Sequence, residues 1–250
     1  MLKALYSMNA SEQGDLFPVT RHSVLSAACG SDPAQRANAL DVLTASYWKP
    51  IYKYVRVRWG IRPEDAQDFT QDFFTRLIEK EFLGSYDPAK GHLRTFLRVC
   101  ADRLFLNQSR DARRQKRGEG AAHVPLDFEE AEREMAKTAH AESPEEYFEK
   151  EWTRTLFALA VSRLRAQCDA AGKPIQFALF ERYDLEESPL RPTYADLALE
   201  FGVAATDVTN YLAAARREFR RCVLHQLREM TGSEEEFQRE AHSLLGVELK

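Results

Sequence analysis

Apolar residues recur along this chain at steps of three and four, and the alternation in steps of two that marks a half-buried strand is almost absent. No β-branched run alternates and no Asn-Gly or Asp-Gly pair signals a hairpin, so the pattern predicts an all-α protein. A first helical block runs from about Asp32 to Trp59 and is closed by Gly60 and Pro63. Pro63 opens a second helix, where its missing N–H costs nothing, and that helix runs to about Glu81. Gly84 to Gly91 carries Gly, Ser, Asp and Pro in the manner of a structured loop, after which helical spacing returns through Arg114. Residues 118–146 are acidic and poor in bulky apolar side chains, which is linker behaviour even where parts are helical. Ser143, Pro144, Glu145 and Glu146 supply an N-cap, a first-position proline and first-turn acids for a further helical stretch ending near Met230. Thr231, Gly232 and Ser233 interrupt it, and no internal repeat is evident.

The expected architecture is thus two small helical domains joined by an acidic linker, the second containing a helix-turn-helix. Its divisions are an N-terminal extension (1–24), a first domain (25–117), the linker (118–146), a second domain (147–231) and a C-terminal tail (232–250).

The composition fits that picture. The chain has 250 residues, 44% hydrophobic and 30% charged, the balance of a folded soluble protein. No apolar run is long enough to span a membrane, and the first residues turn polar too early for a signal peptide, so a cytoplasmic protein without membrane contact is expected. Cys29, Cys100, Cys168 and Cys222 lie tens of residues apart and read as small apolar residues. The six histidines show no metal-binding spacing, and no cofactor is called for. The net charge of −4 hides a segregation: Arg94 to Arg117 carries +6, and Asp127 to Glu151 carries −7.

Three stretches carry candidate chemistry. On a helical wheel from Pro63, residues Ala66, Phe69, Phe73, Phe74 and Leu77 share one face, and Asp65, Asp68, Asp72 and Glu79 share the other, flanked by Gln67, Gln71 and Thr75. A solvated face is the ordinary fate of such acids; a docking face for a basic partner is the alternative, favoured by the lack of compensating lysines. The helix after Gly91 turns Leu93, Phe96, Leu97, Cys100, Ala101 and Leu104 inward. Its other side carries Arg94, Arg98, Arg103 and Arg110, with Arg113 and Arg114 following. Such a stripe either aids solubility or tracks a phosphate backbone. Beside it, Phe82 and Tyr86 offer flat surfaces to unstacked bases, and Lys90 and His92 can stack or hydrogen-bond. From Thr193 to Phe219 the spacing of Ala198, Gly202 and Val208 fits a helix-turn-helix, with Thr193 and Asp207 as caps. Its second helix would present Thr206, Thr209, Asn210, Arg216, Arg217 and Arg220.

The order of acidic helix, loop, basic helix, acidic linker and helix-turn-helix resembles the extracytoplasmic-function (ECF) sigma factors of bacterial RNA polymerase. Residues 20–24 (TRHSV), 47–50 (YWKP), 65–74 (DAQDFTQDFF) and 116–118 (KRG) resemble one large ECF-like subgroup, and the likeness spans residues 20–246. It implies a non-catalytic specificity subunit. The acidic helix would dock on the clamp of the largest subunit of core RNA polymerase, with Asp68, Gln71 and Asp72 at contact positions. The loop from Leu83 to His92 and the start of the basic helix would hold an unstacked base of the minus-ten element of promoter DNA. The second domain would read the minus-thirty-five element. An anti-sigma factor or a regulatory kinase would be a further partner; Thr75 flanks the acids, whereas Thr70 lies on the apolar face. The sequence departs from the family pattern at Arg103, where relatives often carry asparagine, and at Gln67, which replaces an acid. It departs again at Thr209, Tyr211 and Ala214, where basic residues are common.

As a flexible coil, the linker would span about 30 Å in the mean and roughly 100 Å at most. Two promoter elements two helical turns apart are separated by about 70 Å, so a scaffold would have to hold it extended. A stand-alone helix-turn-helix regulator is the alternative from another class, and a helical adaptor a third. No nucleophile, base and orienter set suggests an enzyme.

Overall fold

A computed structural model describes residues 24–79, 83–112, 126–137, 143–186 and 190–246, without the side chains of 110–112. Ten α-helices and no strand occur among the described residues. The chain divides into two compact units. One comprises His22–Thr155 and Arg228–Phe237; the other includes Leu156–Leu227 and the residues from Gln238 onward. Helices α6 (Pro144–Ala170), α9 (Ala205–Glu229) and α10 (Glu234–Leu245) contribute residues to both.

The first unit is built round α2 (Pro33–Trp59). Asp32 caps it by accepting from the N–H groups of Ala34 and Gln35, at 2.9 and 3.3 Å, and Pro33 occupies the position where no donor is required. Gly60 ends it in the left-handed conformation (φ 59°), its N–H donating to the Arg56 carbonyl. Between Pro50 and Val55 every residue is buried, so α2 is enclosed on all sides there. Around it pack α1 (Val24–Cys29), α3 (Pro63–Ile78), α4 (Leu93–Ala112), α5 (Phe128–Ala136) and the first turns of α6. The expected α3 face is the buried one, with Ala66, Phe69, Phe73, Phe74 and Leu77 in the core. Leu93, Leu97, Ala101 and Leu104 of α4 and Tyr147, Phe148 and Trp152 of α6 are buried as well.

The second unit gathers the rest of α6 with α7 (Pro174–Phe180), a π-helical turn (Glu181–Leu185), α8 (Tyr194–Phe201) and α9. Phe219 of α9 meets Phe180 at 5.1 Å and Phe157 at 6.3 Å between ring centroids. No described helix is long and apolar enough to cross a membrane. All four cysteines are free thiols; Cys100, Cys168 and Cys222 are buried as expected of small apolar residues, whereas Cys29 is exposed. Burial pushes the Cys100 and Cys222 thiols up to about 11 and about 12, which leaves both unreactive.

Candidate functional site

The acidic face of α3 is less bare than its sequence suggests. Asp65 is exposed but paired with Arg62 (Nε to Oδ2, 2.9 Å), and the hydrogen bond from that guanidinium holds its carboxyl below the usual carboxylate range. Asp72 accepts from Arg76 at 2.8 Å and from Gln108 at 2.5 Å. The expectation of an uncompensated stripe is therefore corrected: arginines three residues before Asp65 and four after Asp72 supply the charge that a search for lysines overlooked. Asp68 is exposed and makes no ion pair among the described residues. Gln71 is buried at 8% exposure. Thr70 is fully buried, donating to the Ala66 carbonyl at 2.7 Å, and half-buried Thr75 donates to the Gln71 carbonyl at 2.9 Å.

Beside this face lies α5, from the middle of the acidic stretch. Phe128 sets its ring edge-on to Trp48 (5.5 Å) and tilted against Tyr52 (4.9 Å), and Ala131 is buried with Ala66 and Tyr52. Polar contacts flank that seam. Lys49 lies 3.1 Å from Glu130 and 3.0 Å from Glu134, Lys53 is 2.6 Å from Glu134, and Arg56 is 2.7 Å from Glu132. The Tyr52 hydroxyl donates to Glu132 at 2.8 Å. Residues Leu126–Glu129 line, with Gln67, Asp68 and Gln71, an open groove of about 540 Å³. Within the stretch 118–146, the flexible-coil treatment is thus corrected for residues 126–137, while residues 118–125 and 138–142 lie outside the described residues. Alternate acids meet a row of cations on α2, an apolar seam fixes the helix between them, and residues from Pro144 onward already belong to α6.

The basic helix is answered by acids in the same way. Arg94 lies 2.5 Å from Glu149 and stacks over the Trp152 ring at 4.4 Å. Arg98 approaches Glu145 at 3.4 Å and lies over the Tyr54 ring at 5.7 Å. Arg94 and Arg98 are one turn apart, as are Glu145 and Glu149; that matched spacing was the signal in the sequence that these acids pair with the stripe. Arg103 is exposed. Arg110 lies within α4, its side chain outside the described residues, as are Arg113, Arg114 and Phe82 altogether.

In the loop, Asp87 caps a short 3-10 turn by accepting from Ala89, and Lys90 stays exposed while lying 3.1 Å from Asp87. Tyr86 is half-buried, packed on Phe96 (5.2 Å), with its hydroxyl donating to Glu236 and to the Gly91 carbonyl. His92 has Nδ1 3.5 Å from Glu236. Glu236, Trp152 and buried Lys53 were not singled out in the sequence, because each acts through partners far along the chain.

In the second unit, Thr193 and Asp196 form a reciprocal capping box on α8, and Gly202 (φ 64°) turns the chain toward α9. Asp207 was expected as the cap of the next helix; α9 instead begins at Ala205, so Asp207 sits in its first turn, where its charge suits the helix dipole. Thr206, Thr209, Asn210 and Arg217 are exposed and Arg220 half-buried. Arg216 faces inward, holding buried Asp184 through Nε (2.8 Å) and Nη2 (3.1 Å), and Arg191 also reaches Asp184. Its guanidinium therefore fixes the π-helical turn to α9.

Residues 44–115 match the family model described as sigma-70 region 2. The match runs from the middle of α2 through α3 and the loop, and past the end of α4. It supports a sigma-70-type sigma factor with a role in binding RNA polymerase and recognising promoters. No curated protein matches the chain, and no solved structure does.

Proposed function

We propose that this chain is an ECF-type sigma factor, a non-catalytic subunit that directs core RNA polymerase to promoters and helps to melt them. The observation that carries the reading is the coincidence of the region 2 match with the α2–α3–α4 arrangement: one acidic helix face, one aromatic-bearing loop and one arginine-bearing helix on a common core. On this reading α3 docks on the clamp of the polymerase largest subunit through Asp65, Asp68 and Asp72, with Gln71 supporting the face from beneath. Tyr86, Lys90 and His92 hold an unstacked base of the minus-ten element, and Arg94, Arg98 and Arg103 follow the adjoining phosphates. The capped pair α8 and α9 serves as a helix-turn-helix for the minus-thirty-five element, with Thr206, Thr209, Asn210, Arg217 and Arg220 toward DNA and Arg216 in support. An anti-sigma factor or a kinase would act on the same first unit, and the protein would work in the cytoplasm.

Asp68→Lys is the clean test of docking, because Asp68 is exposed and anchors nothing else in the described fold. The variant should retain wild-type helicity and lose co-purification with core RNA polymerase. Undiminished binding would remove α3 from the interface. Tight, sequence-specific binding of duplex DNA by the isolated chain would instead favour a stand-alone regulator.

A further inference from the structure

Glu236, on the first turn of α10, is fully buried. Its carboxylate accepts from the backbone N–H of Leu93 at 2.9 Å, from that of Gly232 at 2.8 Å and from the Tyr86 hydroxyl at 3.1 Å. Its own N–H donates to the Ser233 hydroxyl at 3.1 Å. A buried carboxylate is tolerable only with such a set of donors. The Leu93 N–H opens α4, whose first-turn donors have no partner within the helix and whose dipole favours an anion.

Gly232 explains how the segment comes so close. A Cβ built there would lie 2.5 Å from Cε1 and the hydroxyl oxygen of Tyr86, so only glycine lets this stretch come so close to the hydroxyl end of the ring. Its backbone is outside the left-handed region, so close approach and not conformation demands the glycine. Meanwhile Glu149 and Glu145 occupy Arg94 and Arg98. Carboxylates of the chain thus occupy Arg94 and Arg98, and Gly232 lies against the hydroxyl end of the Tyr86 ring.

We infer that the segment Thr231–Phe237 is a built-in plug of the loop–α4 surface, competing with single-stranded DNA for Tyr86 and the N-terminus of α4. The inference rests on assigning that surface to the promoter strand. Opening then requires the segment to leave, which couples DNA engagement to displacement of the start of α10.

The test uses the full chain and a short fluorescein-labelled oligodeoxynucleotide of mixed sequence at low salt. Glu236→Gln removes the charge while keeping the shape, and Gly232→Ala forces a methyl group into the Tyr86 ring. Both variants should bind the oligonucleotide about ten-fold or more tightly than wild type, as read by fluorescence anisotropy. Hydrogen exchange supplies the second measurement. The Gly232 amide should exchange faster in Glu236→Gln, and faster in wild type once the oligonucleotide is saturating. Unchanged affinity in a Glu236→Gln protein whose Gly232 amide is released would overturn the plug, as would DNA binding to wild type that leaves this amide protected. On the proposed reading core polymerase docks through α3, which contains neither substituted residue. A chain that still retains polymerase but gains no DNA therefore loses the plug alone, whereas one that binds neither loses the sigma reading beneath it.

Discussion

Replacing Lys53 with methionine tests the network that ties α5 and α6 to the central helix. The Lys53 ammonium is 2.6 Å from Glu134 and 2.6 Å from Glu151, and the side chains of Lys53 and Glu151 are only 3% and 2% exposed. Removing the cation leaves buried Glu151 with Arg154 as its ion partner. Breaking a buried pair costs about 3–5 kcal/mol, and the surviving Arg154 contact puts this case near about 3 kcal/mol. In a chain of this size each kcal/mol moves the melting temperature by about 2–4 °C, so Lys53→Met should melt roughly 6–12 °C lower. The double variant Lys53→Met/Glu151→Met removes both charges and should recover at least half of that loss, because a well-packed apolar pair substitutes for a buried ion pair at little net cost. Circular dichroism melts at neutral pH read all three. A Lys53→Met protein within about 1 kcal/mol of wild type would show that the charge is solvated and the network incidental. A double variant less stable than either single would refute the argument from uncompensated charge.

Much of the first unit was legible because its signals are local. Gly60 and the Ser143–Glu146 cap mark helix ends by hydrogen bonding within four residues, Pro63 marks one by the donor it lacks, and the structure places the ends there. The apolar face of α3 follows from the 3.6-residue period alone. What could not be read was which helices meet. The composition of residues 118–146 reads as a spacer, yet Phe128, Ala131 and Met135 supply an apolar stripe at steps of three and four. That stripe is short, and the acids between its members conceal it. Three of those acids, Glu130, Glu132 and Glu134, meet Lys49, Lys53 and Arg56 of α2, a complementarity that only the packing of α5 on α2 reveals.

The candidate site divides along the same line. Residues whose role is to face solvent could be placed by the wheel, and Asp65, Asp68, Arg103, Thr206, Thr209 and Asn210 are exposed accordingly. Residues whose polar groups engage a distant partner escape the wheel: Arg94 and Arg98 meet α6, Arg216 meets Asp184, and the Tyr86 hydroxyl meets Glu236. An arginine stripe in a sequence does not distinguish a surface awaiting an anion from one already holding carboxylates. On the reading proposed above the two descriptions meet, because a polyanion that releases condensed counterions would compete with the carboxylates that neutralise α4 in the free chain.

Two further outcomes follow from named contacts. Arg216→Met should cost about 2–4 kcal/mol by leaving buried Asp184 with Arg191 alone, whereas Arg217→Met, at an exposed position, should stay within about 0.5 kcal/mol. Urea unfolding of the two variants decides between a structural and a DNA-facing Arg216, and equal stabilities would refute the structural role. The last outcome concerns pH. Hydrogen bonds from Arg56 hold the Glu132 carboxyl below its usual range; burial pushes Glu134 upward, but hydrogen bonds from Lys53 and Lys49 outweigh it and leave that group lowered too. A carboxyl whose folded value is depressed contributes stability that is fully present above its ordinary value of about 4.3 and is lost as pH falls through the folded value. Seating of α5 should therefore be insensitive to pH between neutrality and the ordinary carboxylate range, and should weaken only below it. Trp48 reports the seating, since the Phe128 ring stands edge-on to it. Fluorine NMR of protein labelled with 5-fluorotryptophan, with the Trp48 signal assigned through Trp48→Phe, should show that resonance shift only below about pH 4.3, while helicity is retained. A shift already complete near neutral pH, or one that appears only as the whole fold is lost, would show that Glu132 and Glu134 do not hold α5 in place.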